Sequence, residues 1–175
     1  INAVLYVGAK PVFVDIDKNS LCINPKLIEK SITKKTKAII PVHIYGQSAD
    51  MDRIIEIAKL NKLLIIEDCA EALGTYYKKS HVGTFGDAAI FSFFGNKTLT
   101  TGEGGMLIFK SEEFDAKGRI LRDHAMSPDK KYWHEEMGYN YRLTNIQAAI
   151  GLAQLERLES FIASKKSIAE QYNKR

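Results

Sequence analysis

Three apolar runs of strand length, AIIPV at 38–42, LLII at 63–66 and AAIFSF at 88–93, are each bounded by polar or turn-forming residues. Between the first two lies MDRIIEIAKLNK, in which Met51, Ile54, Ile55 and Ala58 recur at helical spacing behind a capping Asp50. Strand, helix, strand in that order forbids a simple hairpin. It imposes right-handed βαβ units and a mostly parallel sheet, so the fold class is α/β.

Other elements fit this frame. Pro11 to Val14 reads as a short strand ending in Asp15 and Asp17, and Asn24 followed by Pro25 starts a helix over 26–32. Met106 to Phe109 adds a strand, with an antiparallel pair around the GEGG turn. From Thr144 the pattern becomes one long amphipathic helix, opened by a Thr144–Gln147 capping box and carried by Ile146, Ala149, Ile150, Ala153, Leu158, Phe161 and Ile162.

Composition narrows function by exclusion. Hydrophobic residues make up 45% of the 175, enough for a core, yet no window is long enough to span a membrane. The net charge of +4 comes from interspersed signs, and clusters such as Lys34, Lys35 and Lys37 read as solvated surface, not a nucleic-acid stripe. Cys22 and Cys69 lack CxxC spacing, no HExxH is present, and His43, His81, His124 and His134 are scattered; no metal site is expected. A reducing, cytoplasmic setting follows from the cysteine usage. The chain opens without Met and closes at IAEQYNKR inside a helical pattern, so it is expected to be an internal segment of a longer protein.

Ligands of open α/β sheets collect at the carboxyl ends of strands. Two candidates stand there, Asp68 after LLIIE and Lys97 after AAIFSFFG. Taken alone, Asp68 reads as a helix N-cap for AEALG and Lys97 as a surface lysine. Taken together, they read differently. A partly desolvated lysine is the amine that forms Schiff bases, and an acidic residue facing a pyridine nitrogen is its companion in pyridoxal phosphate (PLP) sites. GEGG is a weak signal, read as a tight turn between strands or as a turn beside the ligand. It is no P-loop, because Lys97 precedes the glycines. Tyr132, Trp133, Tyr139 and Tyr141 near Arg142 read as a hydrophobic rim or a contact surface.

EDCAEALG, GTFGDAAIFSFFGNKTLTTGEGG and GYNYRLTNIQAAIGLAQLERL, in that order, resemble the DegT/DnrJ/EryC1/StrS family of PLP-dependent sugar aminotransferases, over nearly all of the chain. FSFFGNKTLTTGEGGM is most similar to the perosamine-synthase group. The resemblance implies the three-layer, mostly parallel sheet of the fold-type I, aspartate aminotransferase-like large domain, truncated at both ends. Residues 1–143 would be part of that PLP-binding domain, and 144–175 a connecting helix towards a C-terminal domain.

It also implies roles. Lys97 would be the Schiff-base lysine and proton shuttle, and Asp68 the partner of the pyridine nitrogen. Glu71 would lie near the cofactor hydroxyl, Ser92 would bind the phosphate, and Asn140 would reach the phosphate of the partner subunit in a homodimer. The implied reaction moves an amino group from L-glutamate to a 4-keto-6-deoxy nucleotide sugar for surface polysaccharide (O-antigen, lipopolysaccharide) biosynthesis. Alternatives are a UDP- or dTDP-4-amino sugar, a 3-amino sugar, or a non-catalytic nucleotide-binding relative. No nucleic acid or membrane partner is implied.

Overall fold

The structure is a computed structural model that describes residues 1–174. A four-stranded sheet runs through its centre in the order β1 (Ala38–Ile39), β2 (Leu64–Asp68), β5 (Ala88–Ser92), β6 (Gly105–Phe109). The first three strands are parallel, and β6 is antiparallel to β5, as the glycine turn predicts.

Helix α2 (Pro25–Ser31) is capped by the Asn24 side chain on the Lys26 amide, and α3 (Met51–Asn61) by Asp50 on Arg53. Each cap satisfies an amide that the first helical turn leaves without a partner. Between β1 and β2, α3 buries Met51, Ile54, Ile57 and Ala58 against Ile28, Ile39 and Ile65. Ile57 takes the core place expected of Ile55, which packs at the cluster's edge. A second cluster of Cys69, Ala72, Val82 and Ala89 lies under the hairpin of β3 (Tyr76–Tyr77) and β4 (Ser80–His81).

Two expectations fail. Pro11–Val14 forms no strand. Val12 and Phe13 are exposed, with no neighbouring strand among the described residues to take their backbone groups, and the nearest pairing is an isolated bridge between Ile16 and Ile23. The single helix from Thr144 is instead two, α5 (Asn145–Leu155) and α6 (Leu158–Asn173), with the expected capping box at Thr144. The chain turns at Glu156 and Arg157, where the Arg157 carbonyl accepts from the Ser160 amide and hydroxyl. The helices rest on different ground, α5 on the loop before β6 and α6 on the loop after β2. Arg175, the end of the expected helix, lies outside the described residues.

Helix α1 (Asn2–Tyr6) and α4 (Glu112–Arg122) complete the chain. No helix among the described residues is long and apolar enough to cross a membrane.

Candidate active site

Because β2 and β5 are parallel, their carboxyl ends share one edge of the sheet. Asp68 closes β2 opposite Ile90, and Ser92 closes β5 two residues further on. Beyond Ser92 the chain folds away at once. The Phe93 amide donates to the Gly104 carbonyl, and the Thr101 amide donates to the Phe93 carbonyl. Gly104 makes this closure possible: its φ is +144°, and a Cβ there would stand 2.6 Å from Thr101 Oγ1.

Helix α5 braces the same loop. Gln147 Nε2 donates to the Glu103 carbonyl, while the Gln154 amide both accepts from Thr100 N–H and donates to its carbonyl. The glycine turn thus meets α5 and does not line the cavity next to Lys97. Lys97 sits on the turn between, its amide bonded to the Phe94 carbonyl.

A cavity of about 730 Å³ opens at this edge, lined by Lys97, Glu71, Ser92 and Asn96 among others. The Lys97 side chain is only 20% exposed, and its ammonium lies 3.5 Å from Glu71 Oε1. Glu71 is itself fixed: Oε2 accepts from Tyr45 N–H, and its carbonyl accepts from Gly46 N–H.

Asp68 does not line the cavity, and it caps no helix, since residues 69–75 form turns. Its Oδ1 accepts from Ala70 N–H at 3.1 Å, while Oδ2 has no hydrogen bond among the described residues. Asn140 stands apart from this cavity as well. Its segment is strapped to the end of α4 by Tyr139 and Tyr141 amides on the Leu121 and Arg122 carbonyls and by the Arg142–Asp123 ion pair. The Tyr139 and Tyr141 rings stack at 4.9 Å.

Sequence reading missed Glu67, the residue that fastens this edge. Its side chain is fully buried. Oε1 accepts from the Phe85 and Gly86 amides, and Oε2 from the Gly83 amide and His43 Nε2. His43 Nδ1 accepts from Ala49 N–H, so the ring is the neutral tautomer that donates through Nε2. Burial pushes the Glu67 carboxyl upward, yet bonds from His43, Gly83, Gly86 and Phe85 outweigh it and hold the pKa below its ordinary 4.5.

Cys69 lies close to this pair, and the ligand atoms of the three lie within 4.8 Å of one another. Their ligand atoms are largely engaged within the protein. Both His43 nitrogens and both Glu67 oxygens are engaged, and burial, then the charges of Glu67 and Asp68, push the Cys69 thiol up, so it stays protonated.

The profile of the DegT/DnrJ/EryC1/StrS aminotransferase family matches residues 1–175. The chain belongs to this family. It is 51% identical to GDP-perosamine synthase of Escherichia coli O157:H7, over 99% of this chain and 48% of that protein. It is 49% identical to GDP-perosamine synthase of Caulobacter vibrioides, over 99% and 47%. The PLP form of Streptococcus pneumoniae Spr1654 superposes with a TM-score of 0.92 at 32% identity, covering 99% of this chain and 50% of that one. The fold is therefore the fold-type I, aspartate aminotransferase-like α/β architecture. The chain spans about half the length of the curated relatives it matches.

The Glu67 network generates a stability prediction. Glu67→Ala leaves four donors, three of them buried, without an acceptor, and is expected to cost at least about 3 kcal/mol by urea denaturation. Because the folded pKa is lowered, this stabilisation is complete above the ordinary carboxyl value of 4.5 and drains as pH falls through the lowered one. Glu67→Gln should flatten that acid-side decline. An equally steep decline in the variant would assign it to other carboxylates.

Proposed function

We propose that this chain forms much of the cofactor site of a PLP-dependent aminotransferase acting on a nucleotide sugar, with L-glutamate as amino donor and a 4-keto-6-deoxy sugar as acceptor. The observation that carries the reading is the Lys97 ammonium, mostly shielded from solvent and 3.5 Å from Glu71, in a cavity at the carboxyl ends of β2 and β5. The half-identical GDP-perosamine synthases support the choice of substrate. A binding module would need no shielded amine at this position.

The residues present fit the cofactor. PLP, when bound, supplies a protonated pyridine ring that draws electron density from the carbon bearing the transferred nitrogen. Asp68 ends β2 at the same edge of the sheet, outside the cavity lining, and its Oδ2 is free of hydrogen bonds among the described residues, so a carboxylate oxygen would remain to hold the proton on the pyridine nitrogen. Ser92 Oγ accepts from Phe94 N–H, which leaves its own proton to donate to a phosphate. Glu71 would lie near the ring hydroxyl and orients the Lys97 amine. Lys97 would take and return a proton at the sugar C4, a task suited to an amine held beside a fixed carboxylate.

Residues 1–143 would then belong to the cofactor-binding large domain, and 144–175 lead towards a C-terminal one. The enzyme would work in the cytoplasm, in surface polysaccharide synthesis, as a homodimer with shared sites. The exposed aromatics Tyr132, Trp133 and Tyr141 support such an interface, since aromatic residues are enriched there.

Three outcomes are expected of the full-length protein. Lys97→Ala abolishes turnover, and borohydride fixes PLP to the peptide that contains Lys97 in the unmodified enzyme; an active Lys97→Ala enzyme overturns the reading.

Asp68→Asn keeps the turn onto Ala70, so its melting temperature should hold. The lost charge should cost roughly 1.5–3 kcal/mol, or about ten- to a hundred-fold in rate. Unchanged rate returns Asp68 to a turn-forming role.

Mixing Lys97→Ala chains with chains disabled at Asn140 should restore activity, because one site of each mixed dimer then holds an intact residue from each subunit. Mixed dimers that form yet stay inactive refute the shared site.

A further inference from the structure

Helix α6 presents Ile162, Lys165, Lys166 and Ala169 to the cavity that holds Lys97. That spacing, i, i+3, i+4 and i+7, is one face of a helix. On a helix packed against a domain such a face is normally apolar, and here its middle is two lysines. Neither is paired with a carboxylate among the described residues.

The face is fixed in place. Ile162 rests on Gly74, where a Cβ would stand 2.2 Å from Ile162 Cδ1, and Gly74 has a φ of +85°. Only a residue without a side chain lets α6 approach this closely. Ala169, one turn beyond the lysines, adds little bulk to the wall. The cavity is thus lined by three ammonium groups, Lys97, Lys165 and Lys166, against the single carboxylate of Glu71.

We infer that Lys165 and Lys166 are the subsite for the diphosphate of the nucleotide sugar. This rests on the aminotransferase reading for the identity of the ligand. Lys165 and Lys166, which the cofactor does not engage, carry two positive charges that match the two negative charges of a diphosphate diester. Lysine suits such a group as a mobile point charge on a long stem. The cavity volume, about 730 Å³, exceeds what an amino acid donor fills alone. Charge does not read a base, so the subsite should hold GDP, UDP and dTDP through the same two lysines.

The test is a titration of the full-length protein with GDP, UDP and dTDP, before and after Lys165→Ala/Lys166→Ala. Both side chains are exposed on a helix, and alanine is a strong helix former, so the fold should be kept. The double variant is expected to weaken whichever nucleotide the unmodified protein binds by roughly ten- to a hundred-fold. The unmodified protein should also lose affinity steeply with salt, and the variant less so.

The glutamate concentration that half-bleaches the cofactor colour should stay where it was. Nucleotide affinity unchanged in the variant, or no binding of any of the three by the unmodified protein, overturns the proposal. A shift in the glutamate dependence in place of the nucleotide assigns the lysines to the donor carboxylates and overturns it too. Lysine-dependent nucleotide binding by a protein that neither takes up PLP nor aminates a sugar keeps the subsite and removes the aminotransferase reading.

Discussion

A buried carboxylate organises the edge of the sheet on which everything else stands. Glu67 gathers amides from Gly83, Phe85 and Gly86 and the ring of His43 around its two oxygens. These donors belong to segments that leave regular structure and still enter the interior, where an amide without an acceptor is costly. An apolar residue at this position would fill the space and leave those donors orphaned. The carboxylate therefore does what packing alone does not: it fixes two non-adjacent loops against the last turn of β2. Asp68 is the next residue, and its own backbone is tied to Pro41 and His43.

The amine is held with the same thoroughness from the other side. The loop that carries Lys97 is closed on itself through Phe93, Thr101 and Gly104, then clamped by two glutamines of α5. Glu71 is held by the 45–46 loop, which follows His43. The Lys97–Glu71 pair is therefore the meeting point of two supports that share no residue. Chemistry that depends on where an amine points needs this, because a loop lysine on an open turn would sample many rotamers.

Much of this was legible in the sequence, and the physical reasons differ from element to element. The βαβ core was readable because α3 and the strands it connects carry their own periodicity and caps. That Asp68 and the loop of Lys97 stand at one edge of the sheet was readable because parallel strands place their carboxyl ends together, whereas the absence of Asp68 from the cavity wall was not. Pro11–Val14 misled because β propensity makes a strand only where a partner is present. Helix α4 escaped notice although Ser111 caps it and acids fill its first turn, because it buries no residue and so shows no core stripe. Glu67 escaped for a more general reason. A glutamate beside an aspartate reads as polar punctuation, and its four donors come from 16 to 24 residues away in sequence.

The turn at Glu156 and Arg157 was equally invisible, since no Pro or Gly marks it. It divides one amphipathic pattern into two tasks. Helix α5 spends its polar residues on the loop of Lys97, with Gln147 and Gln154 on backbone groups of that loop. Helix α6, redirected onto Gly74, brings its lysines to the opposite wall of the cavity. The position of the amine and the charge of the cavity thus depend on the same short segment, in which the Arg157 carbonyl, bonded to Ser160, starts the second helix.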